Sequence, residues 1–194
     1  MIINDPRILI SDNPLWIEQI NIRHDLSEIN LKFWLENNLF SLVWWLMLIL
    51  FILLWVIWWK RVDKTRLHEI VTYGVMVSLI ATYINIIGSD YVLWVFPNSL
   101  VPLISPLLIV DFCIFPVMYM LLYQFFTNWK PFAIATVVLS TFLTFIAEPI
   151  AVMLNIYQLV QWKHIYDFPL YILLAFSVKW FMHTVMKKQK IQSV

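Results

Sequence analysis

Between Leu39 and Trp59 the chain runs for 21 residues without a charge and stops at Lys60-Arg61. About 20 apolar residues at 1.5 Å rise cross the roughly 30 Å hydrocarbon core of a bilayer. Within that core the backbone must satisfy its own N–H and C=O groups, so the run predicts a transmembrane helix. Four more runs follow, from about Ile70 to Gly88, Leu107 to Phe126, Phe132 to Leu154 and Tyr166 to Met186. Composition agrees: 62% of residues are apolar and 13% charged, against about 45–50% and 25% in soluble domains. The expected fold class is an all-α, polytopic integral membrane protein with five transmembrane helices.

Several chemistries are excluded by what is missing. Gly occurs twice, at Gly74 and Gly88, so no glycine-rich phosphate loop, dinucleotide fingerprint or GxxxG seam exists. The one cysteine, Cys113, removes intramolecular disulfides and cysteine-based metal centres. A net charge of +1 leaves no footprint for nucleic acid. No histidine pair has the i,i+4 spacing of a helical metal site, so neither a metal nor a cofactor is expected. Residues 1–10 lack the pattern of a cleaved secretory signal, and all 194 residues are read as mature protein.

Orientation follows from Lys and Arg, which resist translocation. Lys60, Arg61, Lys64, Arg66, Lys130, Lys187, Lys188 and Lys190 lie on one side, and Arg7, Arg23, Lys32 and Lys163 on the other. The first side is expected to be cytoplasmic, giving N-out, C-in. The N-terminal segment carries six acids (Asp5, Asp12, Glu18, Asp25, Glu28, Glu36) against three bases, which favours its export. Tryptophans mark the headgroup level: Trp58-Trp59 and Trp129 on the inner side, Trp94 and Trp162 in the outer loops. Residues 22–36 read as an amphipathic helix, with Ile22, Leu26, Ile29 and Phe33 on one face and a Glu28–Lys32 pair opposite, either lying in the membrane interface or serving as a juxtamembrane linker without lipid contact. The organisation is then an extracytoplasmic segment (1–38), a five-helix domain (39–186) and a basic cytoplasmic tail (187–194), in a multi-pass protein of the cell membrane.

Ionisable groups within spans are costly and mark functional sites by default. Asn85 lies about one turn below the outer end of the second helix, and Asp111 about one turn below that of the third. Glu148, next to Pro149, lies roughly 9 Å below the outer end of the fourth. All three helices reach the same leaflet, and the following loop adds Trp162, Lys163, His164, Tyr166 and Asp167, so that acids, a base and an imidazole could meet over one pocket. Pro149 lacks an N–H, which frees the Phe145 carbonyl and predicts a kink beside Glu148. Pro97, Pro102, Pro106 and Pro116 break the path into the third helix, and irregular backbone at that depth lines a cavity or is buried. Lys179 can snorkel toward the inner headgroups. A faint echo links Asn85-Ile86, Trp94 and Phe96-Pro97 with Asn155-Ile156, Trp162 and Phe168-Pro169, at unequal spacings that composition bias explains.

From about Trp59 to Trp180 the chain resembles an uncharacterised family of small polytopic integral membrane proteins from endospore-forming Gram-positive bacteria. The stretches that carry it are Trp59-Lys60-x-Val62-Asp63-Lys64, Tyr119-Met120-Leu121-Leu122-Tyr123-Gln124, Ala147-Glu148-Pro149 and Trp162-Lys163-His164-Ile165-Tyr166-x-Phe168-Pro169. The resemblance implies a membrane protein and no particular activity. Relatives in that family often carry an acid where this chain has Asn85, which weakens a proton relay through that helix.

These features predict a module that binds or transports a small solute or lipid in an outward-opening polar pocket. Glu148, Asp111 and Asn85 would be its ligand- or proton-binding groups, with Lys163 and His164 at the mouth. A second reading is a membrane enzyme with Glu148 as general acid on a lipid or isoprenoid, although no nucleophile-base pair supports it. A third is a structural subunit whose acids join helices, and a homo-oligomer stays open under each reading.

Overall fold

The computed structural model describes residues 13–102 and 107–192, with side chains to residue 188. The reading of residues 1–10, the charges at Asp5, Arg7 and Asp12, Pro106 and the Lys190 side chain lie outside the described residues. The fold is all-α, 81% helical. Four helices are long and apolar enough to cross a membrane: Leu42–Arg61, Lys64–Asp90, Trp129–Met153 and His164–Lys188.

The N-terminal helix α1 covers Pro14–Phe33 and continues as a π turn, Trp34–Asn38. It therefore starts eight residues earlier than the apolar pattern indicated, because Asn13 caps it by accepting from the Leu15 N–H at 3.0 Å and Pro14 sets its first turn. The expected Glu28–Lys32 pair is replaced by His24–Glu28 at 3.6 Å and Lys32–Glu36 at 4.0 Å. Helix α2, Leu42–Arg61, is capped by Ser41 and ends on Lys60 and Arg61, whose charges suit the negative end of the helix dipole. Asp63 then accepts from the Thr65 hydroxyl and N–H at 2.7 and 2.9 Å. These bonds hold its carboxyl below its ordinary value and turn the chain into α3, Leu67–Asp90.

The third apolar run is shorter than expected. A π turn, Val110–Ile114, leads into α4, Phe115–Phe125, and the whole helix of 16 residues, Val110–Phe125, reaches about 24 Å at 1.5 Å per residue. This short helix is the packing centre. Val117, Tyr119 and Met120 are buried against Ile70, Tyr73 and Val77 of α3, Phe132 and the Ala175–Val178 stretch. A Cβ at Gly74 would strike the Met120 side chain, so glycine sets how closely α3 and α4 approach. The fourth span is α5 (Trp129–Phe142), a π turn (Leu143–Ala147) and α6 (Glu148–Met153). The last helix, α7, runs His164–Gln192, so residues 187–192 extend it rather than forming a separate tail. Tyr73 and Tyr119 each donate a hydroxyl to an α7 carbonyl, at Ala175 and Tyr171, both at 3.1 Å.

At the other end from Lys60-Arg61 the turns after α3 and α6, expected to be the outer ones, meet. Strand β1 (Trp94–Val95) pairs antiparallel with β2 (Gln158–Leu159), and Trp94 packs edge-on against Trp162 at 5.3 Å. The echo between these turns thus corresponds to two segments that pair with each other. Segment 97–102, interrupted by Pro97 and Pro102, leaves carbonyls without regular partners. Side chains supply them: Asn38 donates to Pro97, Trp34 to Ser99, Trp44 to Leu100 and Asn30 to Pro102, at 2.8–3.1 Å.

Candidate functional site

Beneath this outer hairpin lies a cavity of about 120 Å³. Ala81, Ile84 and Asn85 of α3 form one wall. Val110 and Ile114 of the first π turn and Leu143 and Ala147 of the second form others, and Leu170, Tyr171 and Leu174 of α7 close it. Trp94, Phe96 and Tyr157 of the outer turns also line it, with the rings of Phe96 and Tyr157 stacked at 5.8 Å. The lining is mostly apolar, so the expected polar pocket is corrected to an apolar one with polar groups concentrated at one end.

That end is built on Glu148, the first residue of α6. Its Oε2 lies 2.7 Å from His164 Nδ1, and its Oε1 accepts the Tyr171 hydroxyl at 2.5 Å. Asp167 accepts from Trp162 Nε1 through Oδ1 at 2.9 Å, while its buried Oδ2 has no hydrogen-bond partner among the described residues. Glu148 and Asp167 are only 8% and 5% exposed. His164, Asp167 and Tyr171 are spaced i, i+3, i+7 on α7, which places all three on one helical face. Burial pushes the Tyr157 phenol, which lies in the loop, well above its ordinary value, with the charges of Asp167 and Glu148 adding to the effect. Tyr157 is therefore a hydroxyl donor at all ordinary pH.

The four carboxyl oxygens meet three donors, the His164 imidazole, the Tyr171 hydroxyl and the Trp162 N–H, so one acceptor, Asp167 Oδ2, is left over. A ligand bringing N–H groups, O–H groups or positive charge would complement it. One ligand atom each from Glu148, His164 and Asp167 lies within 4.8 Å of the others, a donor set of oxygen and imidazole that suits a hard or borderline cation. The expectation of no metal rested on spacing along one helix, which does not register a set drawn from α6 and α7. The orphaned Asp167 Oδ2 fits such an ion, but the proton bridging His164 and Glu148 would have to leave before both atoms could ligate it.

The other predicted residues divide. Asn85 reaches the cavity wall and donates to Asp111 Oδ1 at 2.6 Å. Asp111 itself is fully buried behind that wall and does not line the cavity, because the π turn directs its side chain to α3. Ser78 donates to the Asp111 backbone carbonyl at 2.6 Å. Lys163 does not line the cavity; its side chain is exposed and makes no hydrogen bond or ion pair with the described residues. Trp162 and Asp167 were expected over the pocket only as loop residues, whereas Tyr171 and Tyr157 were missed, and the i, i+3, i+7 pattern of α7 is the signal that joins Asp167 and Tyr171 to His164. Comparison of the chain with protein families, curated proteins and solved structures gives no match, so the site is interpreted from its own geometry.

Proposed function

We propose that this chain is a five-helix protein of the cell membrane, N-terminus out and C-terminus in, which binds or transports a small amphipathic solute or the end of a lipid in the outer cavity. One observation carries the reading: an apolar chamber ending on two buried carboxyls, one with an unsatisfied oxygen. At about 120 Å³ it is close to the roughly 150 Å³ of an apolar cavity that holds benzene. The ligand's apolar body is thus about the size of a six-membered ring or a short branched chain, and its polar end is a donor, an amine above all. Glu148 and Asp167 accept from that end, Tyr157 and Tyr171 bound it, and Asn85 fixes the opposite wall through Asp111.

The His164–Glu148 hydrogen bond favours a second reading, a membrane enzyme in which Glu148 donates a proton to a lipid or isoprenoid and His164 restores it. Native mass spectrometry of gently solubilised protein separates these from a purely structural role. Under the proposal a small molecule or lipid co-purifies with wild type and is lost from both Glu148→Gln and Asp167→Asn. If wild type carries nothing after incubation with membrane lipid extract and small amines, while both variants fold normally, the acids only join helices. Product-mass ions that disappear in Glu148→Gln would select the enzyme.

A further inference from the structure

A second cavity, of about 370 Å³, lies at the opposite end of the bundle, lined by Arg66, Glu69, Tyr123, Trp129, Lys179 and Lys187 among others. Lys179 was expected to snorkel toward the headgroups. Instead it is 4% exposed, donates to the Phe126 carbonyl at the end of α4 at 2.8 Å and has its ammonium 3.7 Å from the centre of the Phe132 ring. It forms no ion pair with any described carboxylate. An ammonium has three donors; capping α4 uses one and the Phe132 ring face takes another, which leaves one for whatever fills the cavity.

The surrounding charges are unbalanced in the same sense. Glu69 is engaged by both nitrogens of the Arg66 fork, at 2.8 and 3.0 Å, and by the Tyr123 hydroxyl at 2.5 Å. With that pair neutral, Lys179 and the exposed Lys187 leave a formal charge of +2 over one cavity. A phosphate monoester carries about −1.5 to −2 at neutral pH and offers three acceptor oxygens. Its complement is a pair of ammonium groups with spare donors, and the volume falls within the usual range of ligand pockets, about 300–1,000 Å³. The wider cluster of Lys60, Arg61 and Lys64 at this end would draw such an anion in.

We infer that the inner cavity is a binding site for a terminal phosphate group, either the monoester headgroup of phosphatidic acid or free inorganic phosphate, held by Lys179 and Lys187. The test uses full-length protein in phosphatidylcholine nanodiscs, offered phosphatidic acid and read by native mass spectrometry, or offered inorganic phosphate and read by phosphorus NMR line broadening. One phosphatidic acid retained per chain identifies the lipid source. Phosphate broadening without lipid retention identifies the free anion. In either case Lys187→Gln weakens binding on the order of ten-fold, the loss expected for one charge-assisted hydrogen bond, and Lys179→Arg retains it. Absence of both signals, or binding equal in wild type, Lys179→Gln and Lys187→Gln, overturns the site. Should Lys179→Gln fail to fold, Lys187→Gln decides alone, since its side chain is exposed and carries no packing.

Discussion

Val92 occupies the left-handed region at φ 52°, where a β-branched side chain crowds its own backbone. It does so because α3 ends in a Schellman closure, with the Leu93 N–H returning to the Gly88 carbonyl at 2.8 Å. The end of α6 closes in the same way around Asn155, φ 53°, with Ile156 N–H on the Ala151 carbonyl at 2.8 Å. Asn tolerates that conformation and Val does not. Since Val92 is 48% exposed, replacing it costs little burial, and Val92→Gly should stabilise by about 1 kcal/mol. A thermal melt in detergent at or below the wild-type midpoint would contradict this. Gly88, four residues earlier, has the opposite sensitivity. A Cβ there would run into the Trp94 indole, which lines the outer cavity. Gly88→Ala should cost about 1–3 kcal/mol by overpacking and loosen the roof, visible as a lowered melting midpoint together with exposure of Trp94 to an aqueous quencher.

Two helices reach the outer cavity through the same device, a π turn followed at once by proline. Glu148-Pro149 follows Leu143–Ala147, and Phe115-Pro116 follows Val110–Ile114. Proline lacks an N–H, so a regular ladder would break there. Widening the preceding turn lets Glu148 N–H reach Leu143 and Phe115 N–H reach Val110, and Ser78 supplies the Asp111 carbonyl. The extra residue also re-aims the side chains that follow, by about 100° for one residue of a helix. Deleting Ile146, which is 50% exposed, should convert the turn to α-helix and carry Glu148 away from His164. Helix content by circular dichroism should persist, while NMR of ring-labelled histidine loses the low-field resonance of the His164–Glu148 bond; if that resonance survives, the turn does not aim Glu148. The sequence showed the break at Pro149 and the shared depth of Asn85 and Glu148, because both follow from counting residues along a span. It did not show Asp167 or Tyr171 as partners, since which face of α7 meets α6 is set by packing around Tyr119 and Ala175. For the same reason Asp111, expected in the pocket, instead lies behind its wall as the hydrogen-bond partner of Asn85.

The whole molecule is polarised, with an acid-rich cavity under the paired outer turns and a basic cavity at the end that bears Lys60 and Arg61. Helix α1 belongs to the acidic end. Asn30, Trp34 and Asn38, spaced every four residues, donate to segment 97–102, while Ile22, Leu26, Ile29 and Phe33 stay exposed on α1, an apolar surface suited to the headgroup boundary. This polarity becomes a true sidedness only if Val110–Phe125 crosses the bilayer, and at about 24 Å it is shorter than the hydrocarbon core. If it crosses, the loop after α6 and the loop after α2 lie on opposite sides. A helix that dipped in and returned would put the turns after α3 and α6 on opposite faces, against their pairing through β1 and β2 and against the bonds of Gln124, at the end of α4, to Arg61 and Asp63. Lys163 and Lys64 report these loops, both being exposed, and Cys113 is fully buried, out of reach of an impermeant reagent, so the wild-type background contributes no competing thiol. Lys163→Cys should react with an impermeant maleimide on intact cells and Lys64→Cys only after permeabilisation. Labelling of both from one side would contradict the crossing of α4 and, with it, the sidedness of the two cavities.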